Sequence, residues 1–229
     1  MITILSPTKH VDLWLFSIDP QDYKNNKFLS ILSIEEQEKA AKFHFSSDRE
    51  KFVISHGIMR QLLSSYLACD PQEIQYEKNA YGKPSLSSPS SYVHFNLSHS
   101  SQLGALAVSS HPIGVDIEYI HVLDDYVSLT KHFLSEKESK YFRDLESRDQ
   151  KTAFYRAWTI KEAYIKAIGM GLSYPIEQVT MSINERAQLL EDRSNPSNID
   201  KWSLYCFEHE NYLGALTLPK GFHVEIIKI

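Results

Sequence analysis

The sequence has few cysteines, no excess of basic residues and no long apolar run. Cys69 and Cys206 are the only cysteines among 229 residues, and their spacing fits no metal site, so we expect reduced thiols and no disulfide scaffold. The net charge of −5 disfavours a nucleic-acid binder. No apolar stretch reaches the roughly 18 residues of a membrane span, and no signal-peptide pattern opens the chain. These absences predict a soluble, cytoplasmic protein with neither nucleic acid nor membrane as a partner.

The order of predicted elements suggests two similar halves. Capping boxes of the form Ser-x-x-Glu start at Ser33 and at Ser135, and a long helix follows each, near residues 48–67 and 149–168. A further box, Ser47 to Glu50, is expected to open the first long helix, and Gly169 to close the second. The similarity is weak, and shared helix starts of this common kind could also be coincidence.

Strands are predicted after each long helix, and the polar segment 85–91 is expected to be a loop. The predicted strands lie near residues 74–77, 92–97 and 103–108 in the first half, and near 178–183, 202–207, 212–218 and 224–227 in the second. We place the border near residues 111–112. The sequence therefore predicts an N-terminal α+β unit, residues 1–112, and a C-terminal α+β unit, residues 113–229.

Two acids lie on one face of a predicted strand. In residues 113–119 apolar side chains alternate with Gly114, Asp116 and Glu118, so the two carboxylates point the same way with backbone positions roughly 6.6 Å apart. They are close enough to converge on one hard cation, and Gly114 would let a ligand approach the backbone. Without further support, such a pair is more often the solvated face of a half-buried sheet.

A third acid and a lysine share one face of the second long helix. Glu162 and Lys166 are four residues apart, a spacing that is also common in surface pairs. Near the end of another predicted strand stand Ser98 and His99, which could donate hydrogen bonds to an anion, although a histidine there is often an ordinary hydrogen-bonding residue. Three acids and a lysine together suit one divalent metal ion and a phosphate.

The sequence resembles the Sfp-type 4′-phosphopantetheinyl transferases in four blocks that occur in the family's order. These blocks are Gly82-Lys83-Pro84, Phe95-Asn96-Leu97-Ser98-His99-Ser100, Gly114-Val115-Asp116-Ile117-Glu118, and residues 158–166 with their Lys-Glu-Ala core. Each block alone is weak, but the order and spacing together are specific. The resemblance implies a pair of α+β subdomains related by a pseudo-twofold axis, with the active site in the cleft between them and one chain sufficient to form it, hence a monomer.

The resemblance also implies an activity, namely the transfer of 4′-phosphopantetheine from coenzyme A to a serine of an apo acyl or peptidyl carrier protein, with release of 3′,5′-ADP. Asp116, Glu118 and Glu162 are then the expected ligands of Mg²⁺, or of Mn²⁺ in its place. Glu162 is also the candidate to receive the serine proton. A different reading of the same acids, a Mg²⁺-dependent phosphoesterase or nucleotide transferase acting on a small molecule, stays open.

Other polar residues are expected to bind the donor. Lys166 would hold a pyrophosphate oxygen, His99 and Ser98 would donate to a phosphate, and Lys83 would meet the side of the nucleotide that bears the 3′-phosphate. Arg49 and Lys51 resemble the family's basic stretch and are assigned to coenzyme A as well. Lys161, which points about 100° away from Glu162 around the helix, is assigned to phosphate, with solvent as the other possibility. Trp158 is expected to belong to the core.

Overall fold

The computed structural model describes residues 9–23, 27–89, 92–121, 125–184 and 186–229. The helices are α1 (Phe28–Ile31), α2 (Ile34–Ala41), α3 (Ser46–Leu67), α4 (Tyr126–Leu129), α5 (Glu136–Asp144), α6 (Ser147–Ile168) and α7 (Asn198–Lys201). The strands are β1 (His10–Ser17), β2 (Gln75–Lys78), β3 (Pro84–Ser88), β4 (His94–Ser100), β5 (Leu103–Ser109), β6 (Gly114–Tyr119), β7 (Val179–Ser182), β8 (Gln188–Asp192), β9 (Trp202–His209), β10 (Tyr212–Pro219) and β11 (His223–Lys228). In these ranges no helix is both long and apolar enough to cross a lipid bilayer.

Two sheets form the centre of the molecule. The first has the order β11-β1-β5-β4, with β11 parallel to β1 and the other neighbours antiparallel, and the second has the antiparallel order β6-β10-β9. Two small hairpins, β2-β3 and β7-β8, lie beside them. The α+β class predicted from the sequence is confirmed.

The alternation of side chains along the strands explains the layers. In β1, Val11 and Leu13 are fully buried in a core shared with Val115 of the second sheet, whereas Trp14 and Phe16 face the other way and pack against α3. The outer face of the second sheet is covered by α6, whose buried side chains form a separate core with it. The layers therefore follow the order α3, first sheet, second sheet, α6.

The long helices lie close to their predicted positions. Two of the three predicted capping boxes form, since Ser33 accepts from the amide of Glu36 and Ser135 accepts from the amide of Glu138. The backbone of Gly169 is left-handed, with φ of 80°, and closes α6 as expected. The box predicted at Ser47 is wrong, because α3 begins at Ser46, two residues before its predicted start, and its N-cap, Phe45, makes no side-chain hydrogen bond.

Three strands were not expected from the sequence. They are β1, β3 and β8; β3 occupies part of the segment 85–91 predicted as a loop, while residues 90–91 lie outside the described part of the chain. The last strand was expected in the second half, yet β11 pairs with β1 and belongs to the first sheet. The division into units 1–112 and 113–229, and the pseudo-twofold relation between them, stay predictions, and the pairing of β11 departs from a simple division.

Candidate active site

Side chains of β4 join the two sheets at one edge. The Val115 amide donates to Oδ1 of Asn96 at 2.7 Å, and the Ser100 hydroxyl donates to Oε2 of Glu118 at 2.7 Å. Between them, the Ser98 hydroxyl donates to Oδ1 of Asp116 at 2.8 Å. These bonds hold β6 beside β4 and orient both acids of the predicted pair.

Asn96 and Ser100 have a role in the site that the sequence analysis missed. The signal was present in the alternation of β4, because Phe95 and Leu97 contact the core on the side of α3 while residues 96, 98 and 100 point to the opposite face. Three small polar side chains on one face let β4 form hydrogen bonds to the neighbouring strand β6 without backbone pairing between the two strands.

Helix α6 lies very close to β6 because Gly114 has no side chain. A Cβ atom at Gly114 would lie 2.0 Å from the Ala163 carbonyl oxygen and 2.4 Å from the Ala167 amide nitrogen. The sequence alone suggested that a ligand would use this space; the helix backbone occupies it instead. The close approach brings Glu162 and Lys166 next to Asp116.

Asp116 is the most buried acid of this group, with 4% of its surface exposed. Its Oδ1 accepts from Lys166 Nζ at 2.6 Å and from Ser98, whereas its Oδ2 is buried without a hydrogen-bond partner among the described residues. Burial raises the pKa of Asp116, and Lys166 and Ser98 act in the opposite direction. An unpaired, buried carboxylate oxygen is a place where a cation would be favourable.

The other two acids are half-buried and influence each other. Burial, followed by the charge of Asp116, raises the pKa of Glu118 and of Glu162. A hydrogen bond from Trp158 opposes this rise at Glu118, so the indole expected only in the core both packs against that core and contacts the site. When ionised, the three acids and Lys166 sum to a charge of −2, which matches a divalent cation.

The three carboxylates are close together without forming a tight cage. Across the described residues, no set of one oxygen from each of the three acids lies within 4.8 Å of one another. The donor set, consisting of oxygen ligands alone, nevertheless fits Mg²⁺, which commonly takes one or two carboxylates together with phosphate oxygens and water.

His99 lies beside a groove of about 1080 Å³ in the N-terminal half. Partial desolvation lowers the pKa of its imidazole, and the positive charges of His56, Lys166, Lys51 and Lys39 lower it further. The groove wall also includes Lys39, Phe52, His56, Gly82 and Pro84. Glu35 and Glu36 line the same wall. Ser98, the hydrogen-bond partner of Asp116, lies between Leu97 and His99, which both line the groove, so the acids of β6 are next to it.

Lys83 does not point its charge into the groove. Its Nζ donates to the carbonyl oxygens of Ile113 at 3.0 Å and Ala167 at 3.4 Å, while the neighbouring Asn79 donates to the Gly169 carbonyl at 2.7 Å. Burial lowers the pKa of Lys83 to about 8. The loop thus binds the end of α6, and the predicted contact between Lys83 and a nucleotide phosphate does not fit this position.

Lys161 and Arg49 also lie away from the predicted site. Lys161 is 2% exposed, and its Nζ donates to three backbone carbonyls and pairs with Glu138 at 2.7 Å, so no proton is free for a phosphate. Arg49 lines a second depression of about 590 Å³ together with Tyr23 and Phe28. The structure therefore supports a donor-binding role for neither residue, whereas Lys51 remains near His99.

Comparison with known proteins accounts for nearly the whole chain. A family profile described as the 4′-phosphopantetheinyl transferase superfamily matches residues 112–217, and one described as 4′-phosphopantetheinyl transferase, N-terminal, matches residues 17–111.

Relatives with curated names show the same similarity. The 4′-phosphopantetheinyl transferase HetI of Nostoc sp. is 34% identical over 185 residues, which cover 80% of this chain and 77% of the relative. The 4′-phosphopantetheinyl transferase Sfp of Bacillus subtilis is 29% identical over 205 residues, or 85% of this chain and 90% of the relative. The transferase gsp of Aneurinibacillus migulanus is 30% identical over 182 residues, with coverage of 79% and 75%.

Proposed function

Because the chain belongs to the Sfp-type family of 4′-phosphopantetheinyl transferases, we propose that its acid cluster and basic groove form one site for coenzyme A. The enzyme transfers 4′-phosphopantetheine to a carrier protein. The proposal concerns the residues that perform this transfer and the ion that they require.

Asp116, Glu118 and Glu162 are the proposed ligands of Mg²⁺, or of Mn²⁺ in its place. The unpaired buried oxygen of Asp116 and the net charge of −2 support a divalent ion here. When bound, this ion would stabilise the negative charge on the phosphates of coenzyme A.

Lys166 and His99 are the proposed phosphate ligands. Lys166 Nζ lies 3.1 Å from Ser98 Oγ and 2.6 Å from Asp116 Oδ1, so its ammonium group is next to the strand whose residues Leu97 and His99 line the groove. His99 adds a donor from the end of β4, and Ser98 adds a neutral hydroxyl. Lys39 and His56 line the groove, and Lys51 is close enough to His99 to lower its pKa, so these three residues would attract the phosphorylated nucleotide end of the donor.

Glu162 is the proposed proton acceptor. In the transfer, the serine oxygen of the carrier forms a bond to the phosphorus next to pantetheine, the bond from that phosphorus to 3′,5′-ADP breaks, and the serine proton passes to Glu162 directly or through water. Burial and the charge of Asp116 raise the pKa of Glu162 when no cation is bound, and a bound Mg²⁺ would lower it again. The same environment makes the residue sensitive to a bound cation.

The proposed partners are coenzyme A and an apo acyl or peptidyl carrier protein. A monomer is sufficient, because the acids, the lysine and the groove all come from one chain. We place the enzyme in the cytoplasm, in keeping with its two free cysteines, Cys69 and Cys206.

The unpaired oxygen of Asp116 is the observation on which the metal site chiefly depends, and the mass of a carrier tests it. With coenzyme A and Mg²⁺, an apo carrier should gain one phosphopantetheine group, and a carrier lacking the acceptor serine should gain none. Asp116→Asn should abolish the gain at equal enzyme concentration, whereas Asp200→Asn, at a side chain that is 93% exposed and lies outside the groove, should behave as the wild type. Carriers of several classes that stay unmodified while a phosphodiester is hydrolysed would favour the phosphoesterase instead.

A further inference from the structure

A histidine and two carboxylates meet at the start of the parallel pair β1-β11. His10 Nε2 lies 2.8 Å from Asp12 Oδ1 and 3.3 Å from Glu225 Oε2. In the described ranges this is the one group of three such residues whose ligand atoms all lie within 4.8 Å of one another. The three acids assigned to Mg²⁺ are farther apart, because their oxygen atoms do not all lie within 4.8 Å of one another.

The register of the two strands produces this group. His10 is paired with His223 and Asp12 with Glu225, so the tripeptides His-Val-Asp and His-Val-Glu lie side by side. The valines point into the core between the sheets, and the four polar side chains share the opposite face. The exposed His223 is therefore the strand partner of His10 on the same face of the sheet.

Asp12 is held in place from the interior. The Tyr66 hydroxyl donates to Asp12 Oδ2, and the Trp14 indole donates to the Tyr66 oxygen at 2.7 Å. Oδ1 is left to face His10. Outer hydrogen bonds of this kind orient the ligands of metal sites in proteins.

The group is separate from the active site. Asp12 faces α3, on the opposite side of the first sheet from the acids of β6, which face α6. Ser98 is aligned with Leu15 through β5, so Asp12 lies three residues along and two strands away from that position.

We propose that His10, Asp12 and Glu225 bind a transition-metal dication of the Zn²⁺ class, with His223 or water completing the coordination. One neutral imidazole and two carboxylates balance the charge of the ion. Tetrahedral Zn²⁺ with bonds of about 2.0 Å separates its ligand atoms by about 3.3 Å, so the present distances need to change by about half an ångström at most for the two pairs that include Nε2. Imidazole suits zinc far better than it suits Mg²⁺.

The function of such an ion is structural, because it joins strands from opposite ends of the chain. β11 is an edge strand bound only to β1 within its sheet. A metal shared between the two strands fixes the C-terminal strand to the N-terminal one and slows its detachment.

The test is a titration of the full chain with Zn²⁺ in the presence of excess Mg²⁺, which saturates carboxylate sites and leaves an imidazole site free. Calorimetry should show one equivalent bound by the wild type and by His132→Ala, an exposed histidine elsewhere. His10→Ala should lose this equivalent, Glu225→Gln should bind at least tenfold more weakly, and Tyr66→Phe about 10- to 100-fold more weakly. Zn²⁺ should also slow hydrogen exchange of the β11 amides in the wild type and in His132→Ala, but not in His10→Ala.

Equal Zn²⁺ binding by the wild type and a folded His10→Ala would overturn the proposal. Should His10→Ala fail to fold, Glu225→Gln decides, because the Glu225 side chain is 62% exposed and its loss does not threaten the fold. If Glu225→Gln binds Zn²⁺ as tightly as the wild type and its β11 amides exchange as in the wild type, the proposal is overturned. His10, Asp12 and Glu225 would then form only hydrogen-bonded ion pairs.

Discussion

Lys161 and Lys166 lie on the same helix, yet the surroundings of their ammonium groups differ. Lys161 is enclosed by carbonyl groups and pairs with the fully buried Glu138. Lys166 has 27% of its side chain exposed and pairs with Asp116 at the edge of the groove. The first lysine holds the fold together, whereas the second is the positive charge nearest to the proposed metal ion.

This difference predicts that Mg²⁺ changes the stability of variants at the two lysines differently. Lys161→Met should lower the free energy of unfolding by about 3–5 kcal/mol, because it leaves the charge of Glu138 buried without its partner. Lys166→Met should lower it by about 2 kcal/mol, since that pair is partly exposed. Mg²⁺ stabilises every variant that keeps the site, so the losses are compared with the wild type at the same Mg²⁺ concentration. On that comparison Mg²⁺ should restore most of the loss in Lys166→Met and none in Lys161→Met, because the ion compensates the charge of Asp116.

Urea unfolding of both variants with and without Mg²⁺ measures these effects. Each variant is the control for the other, since both remove one lysine charge from α6. Equal recovery by Mg²⁺ in the two variants, or recovery in neither, would contradict the assignment of Asp116 to the metal.

Glu36 connects α2 to α3 through a buried ion pair. Its carboxylate accepts from Arg60 Nε at 2.6 Å and contacts His56 Nδ1 at 2.8 Å. Burial tends to raise its pKa, but the hydrogen bonds from His56 and Ser33 and the charge of Arg60 outweigh burial and lower the pKa to about 2.

The lowered pKa predicts how stability depends on pH. Glu36 titrates near 4.5 when unfolded and near 2 when folded, so its contribution of about 3 kcal/mol is complete above pH 4.5 and disappears as the pH falls towards 2. Glu36→Gln should remove this part of the acid dependence, whereas the exposed Glu35→Gln should keep it. Denaturant unfolding between pH 2 and pH 6 would show the difference, and parallel curves for the wild type and Glu36→Gln would argue against the pairing.

At the scale of elements, the contact between α6 and β6 determines the geometry of the acids. Gly114→Ala should force the helix away, because the clash is with backbone atoms that have no other rotamer. We expect turnover to fall at least 100-fold and the melting temperature to drop. Gly171→Ala is a matched control: nothing lies within 4 Å of its added Cβ, and only the cost of its left-handed backbone applies. Normal activity in Gly114→Ala would mean that Glu162 and Lys166 need no close packing on β6.

The same elements show what the sequence could predict. Local patterns were sufficient for α3, α6 and the capping boxes at Ser33 and Ser135, though not for the start of α3, and the alternation of β6 correctly placed Asp116 and Glu118 on one face. The serine-rich strand β3 lacks apolar alternation and was missed. The parallel pairing of β11 with β1 joins residues more than 200 positions apart, which no local pattern reveals.

Side-chain roles were less predictable than elements. The direction of Lys161 around its helix was known, but whether that direction faces solvent or the interior depends on packing by α5 and the segment 176–179. Lys83 was assigned from its motif, whereas its partners are carbonyls that come close only when the halves fold together. The charged residues of the motifs correctly indicated that a site exists, but only the tertiary structure shows which of these side chains point towards it.

At the scale of the whole molecule, the core between the two sheets belongs to both predicted units. Val11, Leu13 and Ala107 of the first sheet are fully buried, and they pack in one cluster with residues of β6 and β10. In addition, β11 completes the first sheet from the far end of the chain. Each of the units 1–112 and 113–229 therefore lacks some of the residues that cover the apolar face of its sheet.

This shared core predicts that the two halves do not fold separately. Residues 1–112 and 113–229, each expressed alone, should be aggregated or should unfold without a cooperative thermal transition, because each exposes one wall of the central core to water. Coexpressed, the fragments should associate one to one and unfold in a single transition, and the intact chain should elute as a monomer in sizing. A sharp, reversible transition in the isolated N-terminal fragment would show that α3 and an incomplete sheet are enough, and that the two halves are independent folding units despite the core and the strand that they share.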